Sequence, residues 1–140
     1  MHDEWGGSIQ VAHGEVYRPT DLPCIVAEIG GAPVGYAALR VIGDLAWIGV
    51  IGAISARRGV GRALVARLAG DARARGCRAL RTITTNDNIG AQRFYQALGF
   101  RLIEVRPGEV AESRKLKPSI PVEDEDGTPV TDELEYELVL

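Results

Sequence analysis

"SARRGVGRALV", residues 55–65, joins an apolar run to an amphipathic one through two glycines. Gly59 and Gly61 let backbone come close to a ligand, and the first N–H groups of any helix lack internal acceptors, so a helix beginning here is a ready anion site. A dinucleotide-binding fingerprint needs a third glycine where Ala63 or Leu64 stands, and a P-loop needs Gly-Lys-Ser/Thr; the sequence has neither. Taken alone, the stretch reads equally well as a plain strand-to-helix turn.

Its surroundings set the architecture. Upstream, "CIVAEIGGAPVGYAALRVIGDLAWIGVIGAI", residues 24–54, holds three β-rich runs separated by Gly30-Gly31 and Gly43-Asp44, which predicts an antiparallel meander. The third run, Leu45 to Ile54, is apolar almost throughout and is expected to be a central strand covered on both faces. Downstream the period changes. Leu64, Val65, Leu68, Ala69 and Ala72 recur at helical spacing from Val60 to Arg75, and Gly76 is the natural stop. "CRALRTITT", 77–85, is a strand that completes a β-α-β unit with a right-handed crossover.

"NIGAQRFYQALGF", 88–100, then reads as a second helix, with Asn88 as its cap, Ala91, Phe94, Tyr95 and Leu98 on one face and Gly99 at its end. "RLIEVR" reads as a strand, Glu109 to Lys117 as a helical turn or two, and "PSIPVEDEDGTP" as a loop. In the closing "DELEYELVL", Leu134, Tyr136 and Leu138 alternate with glutamates, which predicts a half-buried strand with its glutamates outward.

A chain of 140 residues, 46% hydrophobic, is the size of one compact domain. Cys24 and Cys77 each lie in an apolar run and read as reduced structural thiols, an intracellular pattern that points to the cytoplasm; no metal site is expected. No run approaches a signal sequence or a membrane span. The formal net charge of −3 conceals a segregation: eight arginines (57, 58, 62, 67, 73, 75, 78 and 81) face only Asp71 within residues 57–81. A nucleic-acid role is set aside, because no aromatic platform accompanies the arginines and the chain turns acidic from Glu123 onward.

The order strand, "RRGVGRAL" helix, strand, "N-x-x-A-x-x-F-Y-x-x-L-G-F" resembles the GCN5-related N-acetyltransferases, the GNAT superfamily, from about Cys24 to the C-terminus. "TTNDN", "RFYQALGFRL", "KPSIP" and "EDGTPVTDELEYELVL" look like one uncharacterised bacterial branch of it. The resemblance implies an α/β domain with a mixed twisted central sheet, helices on both faces and a shortened N-terminal region. It further implies that acetyl-CoA is the acyl donor, with its pantetheine arm between strands 45–54 and 79–84. The pyrophosphate would lie on the amides of residues 57–62, which makes Arg57, Arg58, Gly59, Val60, Gly61 and Arg62 cofactor-binding; Ile51 and Asn88 join them by the same resemblance. The acceptor would be the amine of a small molecule or peptide.

Transfer of an acyl group from a thioester to an amine requires a neutral amine, a stabilised oxyanion and a proton for the departing thiolate. The resemblance assigns the oxyanion to an exposed backbone N–H on a bulged central strand, around Ile51. Tyr95 suits the third requirement, because a phenol with a pKa near 10 is protonated at pH 7 while a thiol leaves with a pKa near 8.5. Core packing is the competing use of that tyrosine. For the base, Glu28 and His13 are weak candidates, since "LAWIGVIGAI" carries no acidic or polar side chain where relatives tend to have one. With only about two dozen residues before the first confident strand, the acceptor wall is expected to come from a second copy in a homodimer or from the acidic loop 122–127. If neither supplies it, the domain is a CoA-binding sensor.

Overall fold

The computed structural model describes residues 10–12, 15–17, 24–53 and 59–140. Six strands are ordered β3-β4-β5-β6-β8-β7 in one mixed sheet, β1 and β2 form a separate pair, and there are three helices among the described residues. The chain divides into two compact units, one comprising Pro19–Arg81 with Val139–Leu140 and the other Met1–Arg18 with Thr82–Leu138.

The first unit is built on the expected meander. β3 (Cys24–Ile29), β4 (Ala32–Ile42) and β5 (Leu45–Ala53) pair antiparallel in sequence order. Gly30, Gly31 and Gly43 take positive φ at the two reversals, a region L side chains avoid. α1 (Val60–Ala74) then carries the chain across to β6 (Ala79–Thr85), whose first residues pair parallel with β5, Leu45 to Trp47 against Ala79 to Arg81. The turn after the crossover is pinned: Arg78 donates its backbone N–H to the Asp44 carbonyl and its Nε to the Asp44 carboxylate, both at 2.8 Å.

α1 lies on β4 and β5 through Val60, Leu64, Val65, Leu68, Ala69 and Ala72, the face its periodicity predicts. The tightest approach is at Gly35 of β4. A Cβ there would stand 2.8 Å from Val60 Cγ1 and 2.9 Å from the Gly52 carbonyl oxygen. Gly35→Ala is therefore expected to push the first turn of α1 off the sheet and cost about 1–3 kcal/mol. Urea unfolding checks it, and an unchanged midpoint would mean that the helix start yields freely.

In the second unit, α2 (Ile89–Ala97) begins where Asn88 Oδ1 accepts the Ala91 N–H at 3.1 Å, and the chain leaves it through Gly99 at φ 95°. β7 (Arg101–Arg106) and β8 (Glu133–Val139) pair antiparallel, and α3 (Glu109–Leu116) connects them with the long acidic loop. β1 (Gln10–Ala12) and β2 (Glu15–Tyr17) form an antiparallel pair. Tyr136 of β8 meets Tyr95 of α2, whereas Glu133 bonds Ser113 of α3. Since alternate residues of a strand face opposite ways, α2 and α3 flank opposite faces of β8.

That placement corrects the reading of the last strand. Glu133 and Glu135 are 3% and 2% exposed, so β8 is covered on its glutamate face as well as on its Leu134–Tyr136 face. The compensation comes from β7 and α3. Arg106 Nη2 donates to Glu135 and, at 2.7 Å, to Glu104; Nη1 stands 3.9 Å from Glu133, and Ser113 Oγ donates to Glu133 at 3.1 Å. Burial works against the Arg106 charge, but the bond to Glu135 and the three carboxylates outweigh it and hold the guanidinium above its ordinary pKa. Cys24 is also exposed rather than core, and Cys77 is buried; both are free thiols.

Candidate functional site

In the first unit the candidate site begins on β5. From Leu45 to Ala53 the strand carries no ionisable side chain. Its parallel ladder with β6 covers Leu45–Trp47, and β5 runs on from Ile48 to Ala53. Pairing with β4 shifts register between Ala38 and Leu39, which leaves Gly49 as the extra residue of a bulge. Ile51, half-buried opposite Ala37, follows two residues later. In an antiparallel pair, alternate backbone groups point away from the partner, so this stretch turns a row of N–H and C=O groups toward its other edge.

Among the described residues, the helix after β5 starts without side-chain help. Gly59 is its N-cap at φ 88° and ψ −10°, no described side chain caps it, and its first turn contains no acid. The Ala63 N–H is bonded to the Gly59 carbonyl at 2.9 Å. Helical geometry therefore gives the N–H groups of Val60, Gly61 and Arg62 no acceptor inside the helix, and the aligned peptide dipoles add positive potential. Val60 is buried, Gly61 half-buried and Arg62 exposed. Arg57 and Arg58, the other two residues assigned to the phosphates, lie outside the described residues, as does His13.

In the second unit, Tyr95 is the one buried residue of α2, 5% exposed. Phe94 and Phe100 pack on its ring at 5.2 Å between centroids, and Tyr136 at 6.3 Å. Burial pushes the phenol pKa up, and a hydrogen bond with the Thr82 side chain pulls it partly back. The hydroxyl is thus held protonated at neutral pH. Asn88, by contrast, spends its side-chain oxygen on the helix cap. Glu28 is exposed, beside a bulge between Ala27 and Glu28.

Two features escaped the sequence reading. Thr82 was hidden in "TITT", where period-2 alternation shows that Thr82 and Thr84 share a face but not what they touch. The other is the work done by "TTNDN". Asn86 Oδ1 accepts the N–H groups of Thr131 and Asp132, both at 3.0 Å, its Nδ2 donates to the Pro129 carbonyl at 2.9 Å, and the Thr85 hydroxyl donates to Asp87. These residues fasten the end of the acidic loop to the start of α2, a structural use. No group of three or more His, Cys, Asp or Glu side chains is arranged to hold a metal ion among the described residues, and no described helix is long and apolar enough to cross a membrane.

The sequence model of the Acetyltransferase (GNAT) family matches residues 3–100, and the chain belongs to that family. An uncharacterised Bacillus subtilis protein, YdhI, is 29% identical over 137 residues, covering 97% of this chain and 86% of its own. Among solved structures, a GNAT family acetyltransferase from Elizabethkingia anophelis with acetyl-CoA bound superposes at a TM-score of 0.76 with 20% identity, over 86% of this chain and 78% of that one. An IAA acetyltransferase from Bacillus cereus gives 0.71 with 21% identity, over 84% and 77%. At these identities the two structures attest the fold, which is the α/β GNAT arrangement expected from the glycine-rich junction.

Proposed function

We propose that the chain is a single-domain, acetyl-CoA-dependent N-acyltransferase that acetylates an amine of a small molecule or peptide by direct attack in a ternary complex. The observation that carries this reading is the α1 start: a left-handed glycine, no capping side chain and no acid in the first turn, in a chain of the GNAT family. The amides of Val60, Gly61 and Arg62 receive the pyrophosphate, and the β5 backbone around Ile51 receives the thioester. The acceptor nitrogen attacks the carbonyl carbon, the C–N bond forms while the carbonyl oxygen takes the charge beside the β5 backbone, the C–S bond then breaks, and Tyr95 gives its proton to the thiolate. The proton that the nitrogen loses passes to water or to a basic group at the acceptor site. Two free cysteines suit an intracellular setting, the cytoplasm in this reading.

Gly61→Val places a branched side chain where the phosphates approach, and it is expected to weaken CoA binding by about tenfold or more, since one lost charge-assisted contact is worth that much. Calorimetric titration with CoA measures it on protein whose circular dichroism is unchanged. Wild-type affinity in the folded variant would remove the phosphate assignment.

A second reading has one observation in its favour: β5 offers no side chain that could act as a base. On that reading the chain binds CoA as a sensor or interaction module without turnover. Release of free CoA that depends on added amine separates the two.

A further inference from the structure

Arg40, Trp47 and Arg81 stand side by side on three adjacent strands of the first unit. Trp47 of β5 is the register partner of Arg40 on β4 and of Arg81 on β6, so the three residues form one row across the sheet. The row lies on the face turned away from α1. A Cβ on Gly35 would meet Val60 and Leu64 of α1, and alternate residues of a strand point to opposite faces. Gly35, Ala37 and Leu39 therefore look toward the helix, and Tyr36, Ala38 and Arg40 look away from it. All three members of the row are half-buried, and the Arg81 guanidinium carbon stands over the Trp47 ring, 5.7 Å from its centre. Stacking of this kind uses the flat face of a guanidinium and leaves the N–H donors along its edge. Tyr36, Ala38, Ile42, Leu45 and Val50 share this face on β4 and β5 and carry no charge, so among these residues the arginines set its sign.

We propose that Arg40, Trp47 and Arg81 bind an anionic group of the acceptor, which makes the substrate an amine that carries a carboxylate or a phosphate. The inference rests on the acetyl-transfer reading, in which the donor occupies the α1 start and the β5 backbone near Ile51. The acceptor then reaches the same strand from the face that α1 does not cover. A guanidinium fork matches carboxylate and phosphate oxygens two at a time, and the indole between the two forks gives apolar surface to the carbon chain that joins anion to amine. Like charge disfavours a polycationic acceptor here. Trp47 precedes Ile51 by four residues, which is about 10–13 Å along a strand with one bulge. That is several bonds more than separates the nitrogen of an α-amino acid from its own carboxylate. Short peptides, ω-amino acids and aminoalkyl phosphates are the expected acceptors, and free α-amino acids are expected to be poor ones.

Acceptor selectivity at saturating acetyl-CoA tests this, with peptides against their C-terminal amides and aminoalkyl phosphates against the parent amino alcohols. The charged member of a pair is expected to be preferred by about a hundredfold in kcat/KM, roughly tenfold for each guanidinium contact. Arg40→Gln and Arg81→Gln should each cut that preference by about tenfold, whereas Arg73→Gln, on the exposed side of α1, should leave it intact. The arm with the larger preference identifies the anion. Binding is read apart from turnover in a Trp5→Phe background, where Trp47 is the remaining one of two tryptophans. With CoA present, its fluorescence should change saturably with the charged compounds and not with the neutral ones. Such a response without acetylation of any amine would uphold the anion site and overturn the transfer reading. Equal use of charged and neutral acceptors would overturn the proposal, as would a preference that survives both glutamine variants. A Trp47 signal that no charged compound alters would overturn it too.

Discussion

Tyr95→Phe is expected to turn over about 10²- to 10⁴-fold more slowly than the wild type, the range for loss of a general acid, with the deficit in kcat and little change in the KM for acetyl-CoA. The substitution keeps the ring among Phe94, Phe100 and Tyr136 and removes the oxygen that bonds Thr82. As packing alone, that deletion costs about 0.5–1.5 kcal/mol of stability and leaves the rate alone. The two uses of the tyrosine are therefore separable by kinetics. An acyl donor whose thiol has a lower pKa needs less help in leaving and should recover part of the deficit. Turnover within about threefold of wild type, with chemistry rate-limiting, would leave Tyr95 as a core residue only.

The same residue gives a pH signature. Burial raises its pKa above the ordinary 10.0, so the folded protein holds the proton more tightly than the unfolded chain does. This contribution to stability is complete below that ordinary value and is lost as the pH rises through the folded one. Tyr95→Phe should flatten this alkaline limb in thermal melts between pH 9 and 11, a window set by the ordinary value of 10.0. An identical limb in both proteins would assign it elsewhere.

Arg106→Met should be the most destabilising of the substitutions considered, by about 3–5 kcal/mol, the usual cost of stranding a buried charge. Arg106 is 18% exposed at its side chain, and the Glu135 and Glu133 side chains beside it are 3% and 5% exposed. Removing this cation takes away the charge that offsets the desolvation of both carboxylates. The double variant Arg106→Met/Glu135→Gln should recover part of the loss, because the pair costs less to remove together than to break. Urea unfolding of the four proteins of this cycle measures it. A single-variant loss under about 1 kcal/mol would mean that water already reaches the cluster.

Local chemistry made most of the fold legible. Gly30-Gly31 and Gly43-Asp44 announced the reversals of the meander, the spacing from Val60 to Ala72 fixed the buried face of α1, and Asn88 proved to cap α2 as read. The boundaries of α1 and β6 moved by only one or two residues, as fraying ends do. What stayed hidden depended on partners distant in sequence. The glutamates of "DELEYELVL" look solvent-facing because alternation carries no sign of what covers a face, and Arg106 and Ser113 come from other elements. The same holds for Thr82 against Tyr95. The resemblance implied a bulge on the central strand, but its position at Gly49 left no trace in a uniformly apolar run, because a bulge is a property of two strands paired and not of either one alone.

For the catalytic reading, the site was legible as residue types in order, and its chemistry rested on resemblance. A glycine-rich junction can be found by eye, but the feature that makes it fit for an anion is the absence of a capping side chain and of a first-turn acid at Gly59, which only the helix start reveals. The acceptor side carried no comparable signal, since the nine residues of β5 are all apolar or glycine.

Release of free CoA from acetyl-CoA, followed with a thiol reagent while a panel of small-molecule and peptide amines is added, tests the central claim most directly. The account predicts amine-dependent thiol release, with one acetyl group gained by the accepting amine for each CoA freed and the rate falling in Tyr95→Phe. Saturable CoA binding accompanied by no amine-dependent release across the panel would contradict it and leave the chain a CoA-binding module.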